Sequence, residues 1–184
     1  MKSRAIIVLA MAIASCSGLE TKFSASEEYF DWMKENGGLV IESKKNDILT
    51  KVSYWPHQLL VLSELGAIKR PNKTHFDSLT AIYSKNLYFK VEFLRNGSPL
   101  LYTMRDQQEY ANLLSFLSFR FGTVVDLKSS EKEFLLAGSQ LIRNFGLGES
   151  TELLVAFTNI GVVEDVTLSI SEFGLGLGKQ KFKF

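Results

Sequence analysis

Hydrophobic and polar residues alternate strictly along one central stretch. Leu87, Phe89, Val91 and Phe93 fall on one side, with Tyr88, Lys90 and Glu92 between them. A period of two marks a half-buried strand. Asn96-Gly97 follows it, a pair suited to a two-residue hairpin because both turn positions need positive φ. Residues 100–104 are then expected as the return strand.

The period next changes from two to 3.6. Tyr110, Leu113, Leu114, Leu117 and Phe121 form a single apolar stripe on a helix. Asp106 is placed to cap its start and Gly122 to end it. The link Met104-Arg105 is short, so this helix is expected to fold back and cover the inward face of the hairpin. A lone hairpin is marginal in water and needs such a cover. Lys90 points the other way and is expected to tolerate substitution.

The same reading extends along the chain. Ser24-Ala25-Ser26-Glu27 has the spacing of a capping box, which predicts a helix over 25–36 ended by Gly37-Gly38. Leu39-Val40-Ile41 and residues 48–55 read as strands around the turn Lys45-Asn46-Asp47. Pro56 suits the first turn of a helix over 57–65, with Gly66 as its stop and residues 67–74 as a polar loop. Strands are expected at 124–127, 153–157 and 166–170, and at Phe182 and Phe184 between lysines. Residues 133–145 carry both a capping pattern, Ser130 to Glu133, and an alternation through Leu135, Ala137, Ser139 and Leu141. We read strand. Helices and hairpins are interspersed without a βαβ rhythm. The expected fold is therefore α+β, a single domain with a mainly antiparallel sheet, hairpins and three or four packed helices.

The first residues follow a different pattern. Lys2 and Arg4 precede an uncharged apolar run from Ala5 to Ala14. That run is about half of the roughly 20 residues needed to span a bilayer. It matches a secretory signal. Cys16 is the only cysteine in the chain. The segment Ile13-Ala14-Ser15-Cys16 resembles the lipobox of bacterial lipoproteins. The resemblance implies that the Cys16 thiol receives a diacylglycerol and that cleavage leaves Cys16 first. It divides the chain into a signal peptide (1–15), a lipidated tether (16–22) and the α+β domain (23–184). Ser17 follows the cysteine where an aspartate would imply inner-membrane retention, so the resemblance implies an outer-membrane lipoprotein, on its periplasmic or surface face. The chain is also similar in general look to small lipoproteins of the Bacteroidetes group. Their acidic export signal is missing, because Ser17-Gly18-Leu19-Glu20 holds one acid.

Composition narrows the role. The chain has 184 residues, 46% of them hydrophobic, with 14 phenylalanines, which is ample for a packed core. Loss of residues 1–15 removes Lys2 and Arg4, taking the basic residues to 19 against 20 acidic ones and the net charge from +1 to about −1. A nucleic-acid partner wants a strongly basic face, so none is expected. Electrostatics alone would not hold the protein to a membrane either. No cysteine remains after Cys16 to form a disulfide within the domain.

Candidate chemistry is sparse. His57 and His75 lack partners at metal-ligand spacing. Ser129 and Lys132 have the S-x-x-K spacing, but the companion motifs of that enzyme class are absent. Gly174, Gly176 and Gly178 have no helix behind them to make a phosphate loop, and read as turns and a bulged strand. Phe145-Gly146-Leu147-Gly148 echoes Phe173-Gly174-Leu175-Gly176 too briefly to be a repeat. The C-terminal Phe184 resembles the end of an outer-membrane barrel, but such strands are too few here. No catalytic, metal or cofactor residue is assigned. The sequence points to a non-enzymatic envelope lipoprotein, held to the membrane by lipid on Cys16, that binds an envelope protein partner or has a structural role. The alternative is a carrier or sensor of a hydrophobic ligand such as a lipid. Cys16→Ser should abolish acylation. Growth with an acyl-chain probe checks this, and a labelled Cys16→Ser protein would refute it.

Overall fold

The computed structural model describes residues 40–65, 73–143, 148–159, 161 and 165–184. Cys16, the tether, the expected helix over 25–36, Leu39, residues 67–72 and the Phe145-Gly146-Leu147 part of the echo lie outside them. In chain order the elements are β1 (Val40–Lys45), β2 (Ile48–Trp55), α1 (His57–Leu65), α2 (Lys73–Tyr83), β3 (Asn86–Arg95), β4 (Ser98–Pro99) and α3 (Gln107–Phe119). They continue with β5 (Val125–Lys128), β6 (Glu133–Phe134), β7 (Leu136–Ile142), β8 (Thr151–Thr158), β9 (Thr167–Ile170) and β10 (Gln180–Lys183). The fold is α+β, with three helices among the described residues and every strand pair antiparallel.

Two sheets form. The larger runs β1-β2-β3-β8-β7, with β4 beside β3, and the smaller runs β10-β9-β5-β6. Alternation decides which faces meet. Leu87, Phe89, Val91 and Phe93 of β3 are all buried, and register sets them opposite Phe157, Val155, Leu153 and Thr151 of β8. From the smaller sheet, Leu127, Leu168 and Phe182 join the same core. The Phe89 and Phe184 rings sit 5.2 Å apart across the layers. The Thr50 hydroxyl donates to Gln180 Oε1 at 3.1 Å, a buried polar link between the sheets.

Local chemistry explains the turns. Asn46, Asn96 and Gly97 all have positive φ (57°, 51° and 80°). At the start of α3, the Asp106 carboxylate accepts the Glu109 N–H at 2.8 Å, as a capping side chain should. Within residues 133–142 the chain is strand on both sides of Leu135, as β6 and β7, with a register irregularity between Leu136 and Gly138.

Four expectations need correction. The return strand stops at Pro99, after two paired residues, and Leu100–Thr103 forms a 3-10 turn instead. Proline has no N–H to continue the ladder. The helix ends before Gly122: the Arg120 N–H bonds Phe116 O at 2.8 Å, and Phe121 and Gly122 belong to a 3-10 turn. Lys73 and Thr74 are helical rather than loop, since α2 starts there. Leu79 is its one buried residue, so its apolar stripe is thin. Finally, α3 packs along β7, at the far edge of the larger sheet. The smaller sheet joins it in covering the core face of the hairpin.

The stripe on α3 is still core. Leu117 is fully buried and Leu113 nearly so. Leu117→Ala should cost about 2–5 kcal/mol, as for a buried leucine. Gly97→Val should also destabilise, because a β-branched residue resists the left-handed φ of this turn. Denaturant melts check both, and a Leu117→Ala protein as stable as the parent would show the stripe does not face the core.

Candidate functional site

Three of the surface hollows share one element, the edge strand β7. One lies on the outer face of the larger sheet, where Gly138 and Gln140 share a hollow with Leu60 of α1, Tyr83 of α2 and Tyr88 of β3. The other two run along α3. Tyr110, Leu114 and Ser118 succeed each other four residues apart, so they line one side of the helix. Tyr110 and Leu114 face Leu141, Ile142 and Arg143 around a hollow of about 190 Å³. Ser118 faces Ser139, Gln140 and Arg143 around one of about 440 Å³. The opposite flank of α3 is a separate groove of about 460 Å³, where Arg95, Arg105 and Arg120 are spread along Phe116 and Phe173. Those two rings are parallel, 5.3 Å apart.

β7 differs from the other edges. Among the described residues it pairs only with β8, and from Leu136 to Ile142 it carries no charge. β1 has Glu42, Lys44 and Lys45, and β10 has Lys181 and Lys183. Charges on an edge discourage pairing with another chain, and β7 lacks that guard. Large apolar side chains gather at its start. Leu135 is 76% exposed, Leu136 40%, and Phe119, at the end of α3, 82%. The α3 end lies close by, since a Cβ on Gly122 would fall 2.7 Å from the Leu136 side chain.

The outer face of the larger sheet holds a charged cluster. Register puts Glu92 directly opposite Glu152, a pairing that repels on its own. Lys90 Nζ sits 3.3 Å from Glu92 and 3.2 Å from Glu152, and the Ser150 hydroxyl lies 3.0 Å from each carboxylate. The Lys90 ammonium also lies 5.5 Å from the Trp55 ring centre. Lys90 is therefore no indifferent surface residue, and that expectation is overturned: its side chain is only 16% exposed.

The glycine-rich loop has a ligand of its own. The Glu172 carboxylate accepts the N–H groups of Phe173, Gly174, Leu175 and Gly176 at 2.7–3.1 Å, and also that of Gly178. Gly174, Gly176 and Gly178 have positive φ (97°, 71° and 59°), which turns those donors inward. Partial burial raises the Glu172 pKa, but the N–H groups of Gly178, Gly176, Gly174 and Leu175 outweigh it and hold the carboxyl below its ordinary value. The clasp is thus intact above the usual carboxylate range and weakens as pH falls through that lowered value.

The remaining motifs stay apart. His57 opens α1 and His75 lies on the exposed side of α2. Among the described residues no three His, Cys, Asp or Glu side chains group to hold a metal. Ser129 and Lys132 close the turn between β5 and β6. The Ser129 N–H donates to Lys132 O at 2.8 Å and its hydroxyl accepts the Lys132 N–H at 3.1 Å, so the contacts are to backbone and no helix presents the serine. Among the described residues, no helix is long and apolar enough to cross a membrane. No protein-family model, curated protein or solved structure matches this chain.

Lys90→Met should destabilise the domain by about 1–3 kcal/mol, because it leaves two half-buried carboxylates facing each other. Urea melts at neutral pH check this; equal stability of the two proteins would show the cluster contributes nothing.

Proposed function

We propose that this chain is a non-enzymatic, lipid-anchored lipoprotein of the cell envelope that docks a protein partner on the surface built from β7 and the end of α3. The anchor part of the reading rests on the Ile13-Ala14-Ser15-Cys16 pattern. The docking part rests on one observation: Phe119, Leu135 and Leu136 stand exposed beside an edge strand that carries no charge. Scattered apolar side chains are ordinary on a surface, but a group of them beside an open edge suits an interface. The opposing lysine-bearing edge of β10 lacks these features. Acylation would confine partner and protein to one membrane surface, so modest affinity would suffice.

Photo-crosslinking in native envelopes tests the reading. A photoreactive residue at Leu135 or Phe119 should capture the same partner, and one at Lys181 should not. Leu135→Glu should remove the crosslink formed from Phe119. Equal capture from Lys181, or none from the β7 side, would overturn the assignment.

A further inference from the structure

We propose that the groove between α3 and β7 binds an anionic amphiphile, a carboxylate or phosphate head on a single short alkyl chain. The groove has two chemically different halves that meet at Arg143. In the first, Leu101, Tyr110, Leu114, Leu141 and Ile142 surround about 190 Å³ of largely apolar space. In the second, Ser118, Ser139 and Gln140 offer polar groups. Leu141 and Arg143 line both.

The polar half is unfinished. Among the described residues the hydroxyls of Ser118 and Ser139 have no hydrogen-bond partner, and both are closed off behind the wall of the hollow. Buried polar groups are almost always paired, so a small rotation of either side chain toward an occupant of the hollow would satisfy them. Arg143 has neither an ion pair nor a hydrogen bond among the described residues. By contrast, the polar groups at the back of the apolar half are already engaged. The Ser150 hydroxyl lies between Glu92 and Glu152, and Thr151 Oγ1 accepts the Leu101 N–H at 3.0 Å. A guanidinium with two donor hydroxyls fits an oxyanion. The leucine and isoleucine walls fit a hydrocarbon. The apolar volume lies below the roughly 300–1,000 Å³ of drug-sized ligand sites, so it suits one short chain and excludes a diacyl lipid's full tails.

The test uses the full chain carrying Cys16→Ser, so that no acyl group of its own competes. The probe is decanoic acid with a photoreactive group on its chain, and the labelled peptides are mapped by mass spectrometry. Label should fall on the peptides holding Leu114 or Leu141. Decanoate should displace it, while acetate and decyltrimethylammonium should not. Arg143→Gln should weaken displacement by decanoate by at least about tenfold and leave displacement by decanol unchanged, as expected for loss of a charge-assisted contact alone. Leu114→Trp should block both, and denaturant melts matching the parent show that each variant is folded. Vesicles of phosphatidylcholine containing phosphatidylglycerol separate the sources of the head group: displacement by vesicles assigns it to a membrane lipid, displacement by free acid alone to a soluble amphiphile. Label elsewhere, equal displacement by the cationic amphiphile, or unchanged decanoate affinity in Arg143→Gln would each overturn the proposal.

Discussion

Every larger feature of this domain depends on the double pairing of β3. β2 runs along one side of it over eight positions, from Trp55 opposite Tyr88 to Ile48 opposite Arg95. β8 runs along the other side over eight, from Thr158 opposite Asn86 to Thr151 opposite Phe93. Both faces of β3 are then committed at once. A slip of one residue would send Leu87, Phe89, Val91 and Phe93 to the outer face and bring Lys90 and Glu92 into the core. The two partners come from opposite ends of the chain, so the pairing also closes the domain and brings both sheets over one core.

The outer face shows the same constraint in polar form. Because register fixes Glu92 beside Glu152, the chain has to neutralise them where they stand, and one ammonium and one hydroxyl are shared between them. The cluster is satisfied from within. The β7 side is the reverse among the described residues: an uncharged edge, two orphan hydroxyls and an arginine with no counter-ion. The contrast between a closed polar network and an open one directs attention to β7 rather than to the richer collection of charges on the sheet face.

What was legible in the sequence was local. The alternation of β3, the Asn96-Gly97 turn and the Asp106 cap each depend on a few adjacent residues, and each formed as read. Pro99 ended the return strand for an equally local reason that outweighs the apolar run after it. The role of Lys90 was hidden, because its environment joins strands far apart: Ser150 and Glu92 are 58 residues distant in sequence. The groove residues were hidden for the same reason. Ser118, Ser139 and Arg143 form no motif, and only the packing of α3 on β7 brings them together. One local signal did go unread: Glu172 stands directly before the alternating glycines, and an acid there can fill the very nest that such glycines build.

That arrangement bears on how this part of the chain can change over evolutionary time. The Glu172 carboxylate and the loop's left-handed glycines are useful only together. Loss of the acid leaves inward-facing N–H groups without an acceptor, while a side chain at Gly174 or Gly176 strains the turn that aims them. Gly178 shares the left-handed conformation, with φ of 59°, and it is that backbone angle rather than the movable Lys45 ammonium nearby that favours glycine there. Single substitutions at these positions are each costly, so the acid and the glycines form one unit of inheritance, to be kept whole or exchanged whole for a different loop.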